Sequence, residues 1–100
     1  MSQFESELWY RSPDETESVA YVSLDGPNPN GHSLHPEHDV TYYIVSGEAI
    51  FCVNGIKHLI QTGESFRVTR DTRYCNLGKN AAMLVKSKPA LASKNSLQTD

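Results

Sequence analysis

The sequence predicts an all-β protein, an antiparallel sandwich or barrel, on three observations. Short β-branched and aromatic runs recur along it, among them residues 19–24 (VAYVSL), 40–45 (VTYYIV) and 49–53 (AIFCV). Glycine-containing turns separate such runs at intervals of about 8–12 residues. No stretch carries a convincing helical period.

Each element follows from its local chemistry. Residues 1–18 are polar, with Phe4, Leu8, Trp9 and Tyr10 as the only large apolar groups, and read as an arm or edge strand followed by an acidic loop at 12–18. The run 19–24 is a strand closed by Asp25-Gly26-Pro27, and 28–31 (NPNG) continues the loop. Ser46-Gly47 stops the apolar strand 40–45. Asn54-Gly55 directly follows 49–53; this pair suits the two-residue turn whose central positions both take positive φ, so 56–61 should pair back as a hairpin. Gly63 breaks that strand and 65–69 resumes. Turns at 70–72 and 78–80 then bracket strands 73–77 and 81–87, and Pro89 ends the domain. The folded domain is thus expected over 19–89, with 90–100 as a disordered tail that has lost all periodicity.

Bulk properties exclude several classes. One hundred residues make one domain. A 38% hydrophobic and 21% charged composition fits a soluble globular chain rather than a disordered one. The net charge of −3, with nine scattered basic residues, argues against a nucleic-acid surface. No apolar run approaches the roughly 20 residues that span a bilayer, and the N-terminus lacks the basic-then-apolar profile of a secretory signal. Cys52 and Cys75 have no metal-type spacing and lie in apolar stretches. They are expected to be buried free thiols, with a cross-strand disulfide as the alternative. The setting implied is cytoplasmic and reducing.

From about Gly31 to Pro89 the pattern resembles the cupin family. The resemblance rests on YYIVSGEAIFCVNG at Tyr42 to Gly55, on Gly63-Glu64-Ser65 where cupins usually carry Gly-Asp, on Asp71-Thr72-Arg73-Tyr74, and on Gly78 before the last strand. It implies an antiparallel jelly-roll β-barrel, usually a homodimer, with a ligand cavity open at one end. Metal-binding cupins supply His-x-His and a Glu from a first motif and a His from a second. Counted back from Gly47, the Glu position falls on Val40 and the histidine positions on Ser33 and His35; the second motif's histidine falls on Tyr74, or on Thr72 if the turn is shorter. One ligand of four survives in strict register, too few for a transition-metal site.

If Val40 points inward, strand alternation brings Tyr42 and Ile44 with it. Tyr42 is then either a cavity-lining phenol or a core tyrosine satisfied by backbone. Tyr74, a neutral phenol in place of a ligand histidine, suits a barrel that holds an organic ligand directly. Along 65–69, Ser65, Arg67 and Thr69 share one face. That face meets solvent, or it carries Arg67 into the cavity, where its fork would clamp a carboxylate or phosphate. His32, His35 and His38 sit at every third position of a loop and are either ordinary exposed residues or a relocated metal site. His58 shares a face with Ile56 and Ile60 and reads as a core or interface histidine, with a catalytic base as the alternative.

These residues carry three functional expectations. The first is a metal-independent cupin that binds a sugar derivative or carboxylic acid and isomerises or cyclises it by acid/base chemistry. His35, Tyr42 and Tyr74 would be catalytic, and Val40, Ile44 and Arg67 would line the ligand. The second is a divalent transition-metal enzyme with a reduced site drawn from His32, His35, His38 and His58, the loop histidines His32, His35 and His38 first. The third is a non-catalytic dimerisation scaffold. All expect a homodimer, because the rings of the N-terminal arm have no partner in a core built from the later strands. None expects nucleic acid or membrane.

Overall fold

The computed structural model describes residues 3–28, 32–34, 38–89 and 97–99. Its elements are β1 (Gln3–Arg11), β2 (Ser18–Pro27), β3 (His32–Leu34), β4 (Asp39–Val53), β5 (Ile56–Gln61), β6 (Ser65–Val68), β7 (Arg73–Lys88) and β8 (Leu97–Thr99). Every pairing is antiparallel. No helix among the described residues is long and apolar enough to cross a membrane.

Two long strands organise the barrel. β4 and β7 pair along their whole lengths, from Asp39↔Lys88 to Val53↔Tyr74. On its other side, β4 pairs β6 with its first half and β5 with its second. β7 pairs β3 with its first residues and β2 from Leu77 onward.

Four of the expected strands are thus halves of two continuous ones, because the breakers at 46–47 and 78–80 make bulges rather than reversals. The ladder shifts register between Ile44 and Ser46 and again between Ser46 and Glu48. Gly47 takes φ +71° and Asn80 φ +47°. A bulge and a turn draw on the same left-handed residues, so residue type does not separate them. Gly47 is also where backbones press together: a Cβ there would lie 2.2 Å from the Asn80 carbonyl oxygen.

The bulges change which residues face inward. In β4 the buried positions are Val40, Tyr42 and Ile44 before the bulge and Ala49 and Phe51 after it. In β7 they are Tyr74, Asn76 and Gly78 before it and Ala81, Met83, Val85 and Ser87 after it. The two long strands bend together and wrap both halves around one core.

The hairpin at Asn54-Gly55 forms as the sequence predicts, with φ +52° and +77°. The N-terminal segment is an edge strand, paired along its length with β2 of its own chain. Two of its rings have partners within the chain: Phe4 packs on the core, and Trp9 stacks on Tyr21 with centroids 5.0 Å apart. Within the expected disordered tail, Leu97–Thr99 instead pairs with β3, whose open edge offers unpaired backbone groups to a further strand.

Candidate active site

Strand alternation delivers Val40, Tyr42 and Ile44 to one buried face, and delivers Tyr74, rather than its neighbours Arg73 and Cys75, to the same interior. Tyr42 and Tyr74 are 8% and 3% exposed. They are remote in the β4–β7 ladder, yet the bend brings their hydroxyls to 2.5 Å, with ring centroids 6.0 Å apart in an edge-on arrangement. Phe51 closes the cluster, 4.8 Å from Tyr42 and stacked 4.9 Å from Phe66.

Burial controls the acidity of both phenols. Loss of water pushes Tyr42 up to about 12, its hydrogen bond to Tyr74 pulling weakly the other way. Tyr74 is raised well above the ordinary value, first by burial and then by the charge and hydrogen bond of Tyr42. Both are neutral hydrogen-bonding groups across the physiological range.

His38 belongs to the interior, not to an exposed loop. It is 3% exposed and precedes Val40 by two residues, in phase with the inward face. Its Nδ1 lies 2.9 Å from the carbonyl oxygen of Pro89. A carbonyl only accepts, so Nδ1 carries the proton and Nε2 presents a lone pair. Among the described residues, that buried Nε2 has no hydrogen-bond partner. Two-residue alternation from Val40 back to His38 could have found this, but the Pro36 loop drew the reading away from it.

Arg67 faces outward, a correction to its expected place in the cavity. Phe66 and Val68 turn inward in β6, so Arg67 must point away. Its guanidinium lies 3.3 Å from Asp39 Oδ2, in an outer hollow lined also by Thr41, Tyr43, Lys86 and Lys88. Asp39 is held below the usual carboxylate range, chiefly by the backbone N–H of Arg70 at 2.7 Å and then by the Arg70 side chain. His58 is half-buried with its ring 5.0 Å from Phe66, as a packed histidine would be; Ile56, expected beside it, is exposed. His35 lies outside the described residues. Of His32 the backbone is described, paired with Thr99.

The described residues do not fit a transition metal. Val40 offers no donor atom, burial keeps the Tyr74 phenol neutral, and no three His, Cys, Asp or Glu side chains among the described residues converge as a ligand set.

The shape decides the fold. Streptomyces PAC13, in a variant solved with uridine, superposes with a TM-score of 0.80 over 96% of this chain and 86% of that one, at 21% identity. The chain is a small cupin-like jelly-roll domain. KdgF from Halomonas sp. matches this chain with a TM-score of 0.77, at 17% identity, over 91% of this chain and 82% of its own. A protein from Klebsiella pneumoniae described by its double-stranded beta-helix domain matches with a TM-score of 0.81, at 14% identity, over 97% and 80%. Pac13 is described as a unique nucleoside dehydratase. No family model and no curated protein matches this chain.

Proposed function

We propose that this cupin domain binds a sugar derivative or carboxylic acid inside the barrel and acts on it by metal-independent acid/base chemistry. The observation that carries the reading is the buried Tyr42–Tyr74 hydroxyl pair. Their hydroxyls meet at one point of the interior, and each is able to donate and to accept a hydrogen bond, as orienting a ligand oxygen requires. Because burial holds both phenols neutral, they suit stabilising a developing oxyanion better than removing a proton.

The complementary base is His38. Its buried Nε2 lone pair would accept the proton, and His38 precedes Val40 by two residues on the inward phase, where apolar neighbours would exclude water from the ligand. His38 would take a proton from a ligand hydroxyl or from a carbon beside a carbonyl. Tyr42 and Tyr74 would hold the oxygen where charge collects, with Val40 and Ile44 as the wall and His35 as a further candidate at the strand's entrance. The Pac13 neighbour supports this reading: it was solved with uridine, a sugar-bearing ligand, as two Tyr→Phe variants and one His→Gln variant. The reading also includes a cytoplasmic homodimer, supported by Leu8, Trp9 and Tyr10, which stay about half exposed on edge strand β1. Sedimentation as a monomer at micromolar concentration would remove the dimer.

Calorimetric titration with uridine and a panel of simple sugar acids tests the site. Tyr74→Phe is expected to weaken the ligand that binds by about 0.5–1.5 kcal/mol, the worth of one neutral hydrogen bond, while the fold persists. His38→Gln is expected to lower turnover more than affinity. Binding unchanged in both variants would sink the reading, and so would stoichiometric transition metal in protein purified without a His-tag.

A further inference from the structure

Cys52 and Cys75 are Cα partners in the β4–β7 ladder, and both are free and half-buried. Their neighbours Phe51 and Tyr74 fill the interior, so alternation places the two thiols together on the outer face. The thiols hydrogen-bond each other, and burial, followed by that bond, pushes the Cys75 thiol up from its ordinary value. Directly opposed residues of antiparallel strands have Cα atoms about 4.5 or 5.5 Å apart, according to the type of pair. Both separations lie within the roughly 4.4–6.8 Å that a disulfide spans, so bond formation needs side-chain rotation rather than movement of the strands.

We propose that Cys52 and Cys75 form a redox modification site, a dithiol that closes to a cross-strand disulfide and clamps the barrel wall beside Tyr74. The oxidant is a small peroxide able to reach a half-buried thiol. The Cys52 thiolate attacks one peroxide oxygen, the O–O bond breaks, hydroxide leaves, and Cys52 becomes a sulfenic acid. The Cys75 thiol then attacks that sulfur. The S–S bond forms, the S–O bond breaks, and water departs with the Cys75 proton. For hydrogen peroxide the sum is two thiols and one peroxide giving one disulfide and two waters. A dithiol reductant reverses it by exchange. Each of the two attacks is made by the thiolate form, and either cysteine can take the first step. The next rung of the ladder is Val53↔Tyr74, so the crosslink acts directly on the backbone that holds the buried phenol. The proposal holds whatever ligand the barrel takes.

The test treats the whole protein with a modest excess of hydrogen peroxide and reads its intact mass, its free thiols and its amide hydrogen exchange. Loss of two hydrogens and of both free thiols per chain is expected, reversed by dithiothreitol and absent in Cys52→Ser and in Cys75→Ser. Exchange at Val53 and Tyr74 is expected to slow in the oxidised form. Unchanged mass, a gain of oxygen, or crosslinking between chains would overturn the site. A disulfide that forms and leaves exchange at Val53 and Tyr74 unaltered would overturn the clamp. Circular dichroism of the two serine variants shows whether they keep the fold, and a further comparison on wild-type protein with both thiols alkylated keeps the test decisive if either does not.

Discussion

Gly47→Ala is expected to destabilise the protein by about 3–5 kcal/mol, at the high end for a single substitution. Two costs add. An L-residue at φ +71° gives up about 1–2 kcal/mol of backbone strain. The new methyl would also lie 2.2 Å from the Asn80 oxygen and 2.5 Å from that of Lys79. Both are backbone atoms fixed in the ladder, so the bend itself must open. Gly63 supplies the control: it takes φ +88° with nothing within 4 Å of an added Cβ, so Gly63→Ala should cost only the strain. Urea denaturation of the two variants separates these contributions. Equal losses would mean that the strands have room to spread at Gly47.

Stability is also expected to fall by about 2–3 kcal/mol between pH 10 and pH 12 on account of Tyr42 alone. The phenol ionises near pH 10 when unfolded and near 12 in the barrel. Its contribution is therefore complete below pH 10 and is lost as pH rises through the folded value. Tyr74 shifts in the same direction for the same first cause and steepens the loss. Denaturation midpoints at neutral and alkaline pH should show the slope in the wild type and a flatter profile in Tyr42→Phe/Tyr74→Phe. At neutral pH Tyr74→Phe should cost about 1–3 kcal/mol, because the buried Tyr42 hydroxyl loses the Tyr74 hydroxyl it meets, and the double replacement should cost less than the two singles added. Identical alkaline slopes in wild type and double variant would place the titrating groups elsewhere.

Much of the barrel was legible because strand periodicity is a two-state code. Once Val40 faces inward, Tyr42 and Ile44 must follow, and the burial of all three agrees. Asn54-Gly55 named its own turn, since few other pairs accept two positive φ angles in succession. The encounter of Tyr42 with Tyr74 was legible only as a shared interior. Their 2.5 Å contact depends on how sharply two strands bend, which no local pattern records. Arg67 shows the opposite difficulty: the alternation was clean, but choosing between its two faces required knowing that Phe66 stacks on Phe51. His38 was obscured by sequence distance, because the Pro89 carbonyl that fixes its tautomer lies 51 residues away.

The paired bulges at Gly47 and Asn80 have a consequence for how the protein tolerates change. A mutational scan replacing each β4 residue with lysine should give a two-residue rhythm of damage whose phase inverts partway along the strand. Even positions should be the sensitive ones through Ile44 and odd positions from Ala49 onward. β7 should show the same inversion between Gly78 and Ala81. A one-residue deletion within either bulge would leave the other strand's extra residue uncompensated, so that half of the β4–β7 ladder would slip by one residue. Natural length variation in this chain is therefore expected at the Asn54-Gly55 tip and in the connection before β4, and to be absent from the middles of the two long strands, although those middles are rich in the residue types usually found in loops.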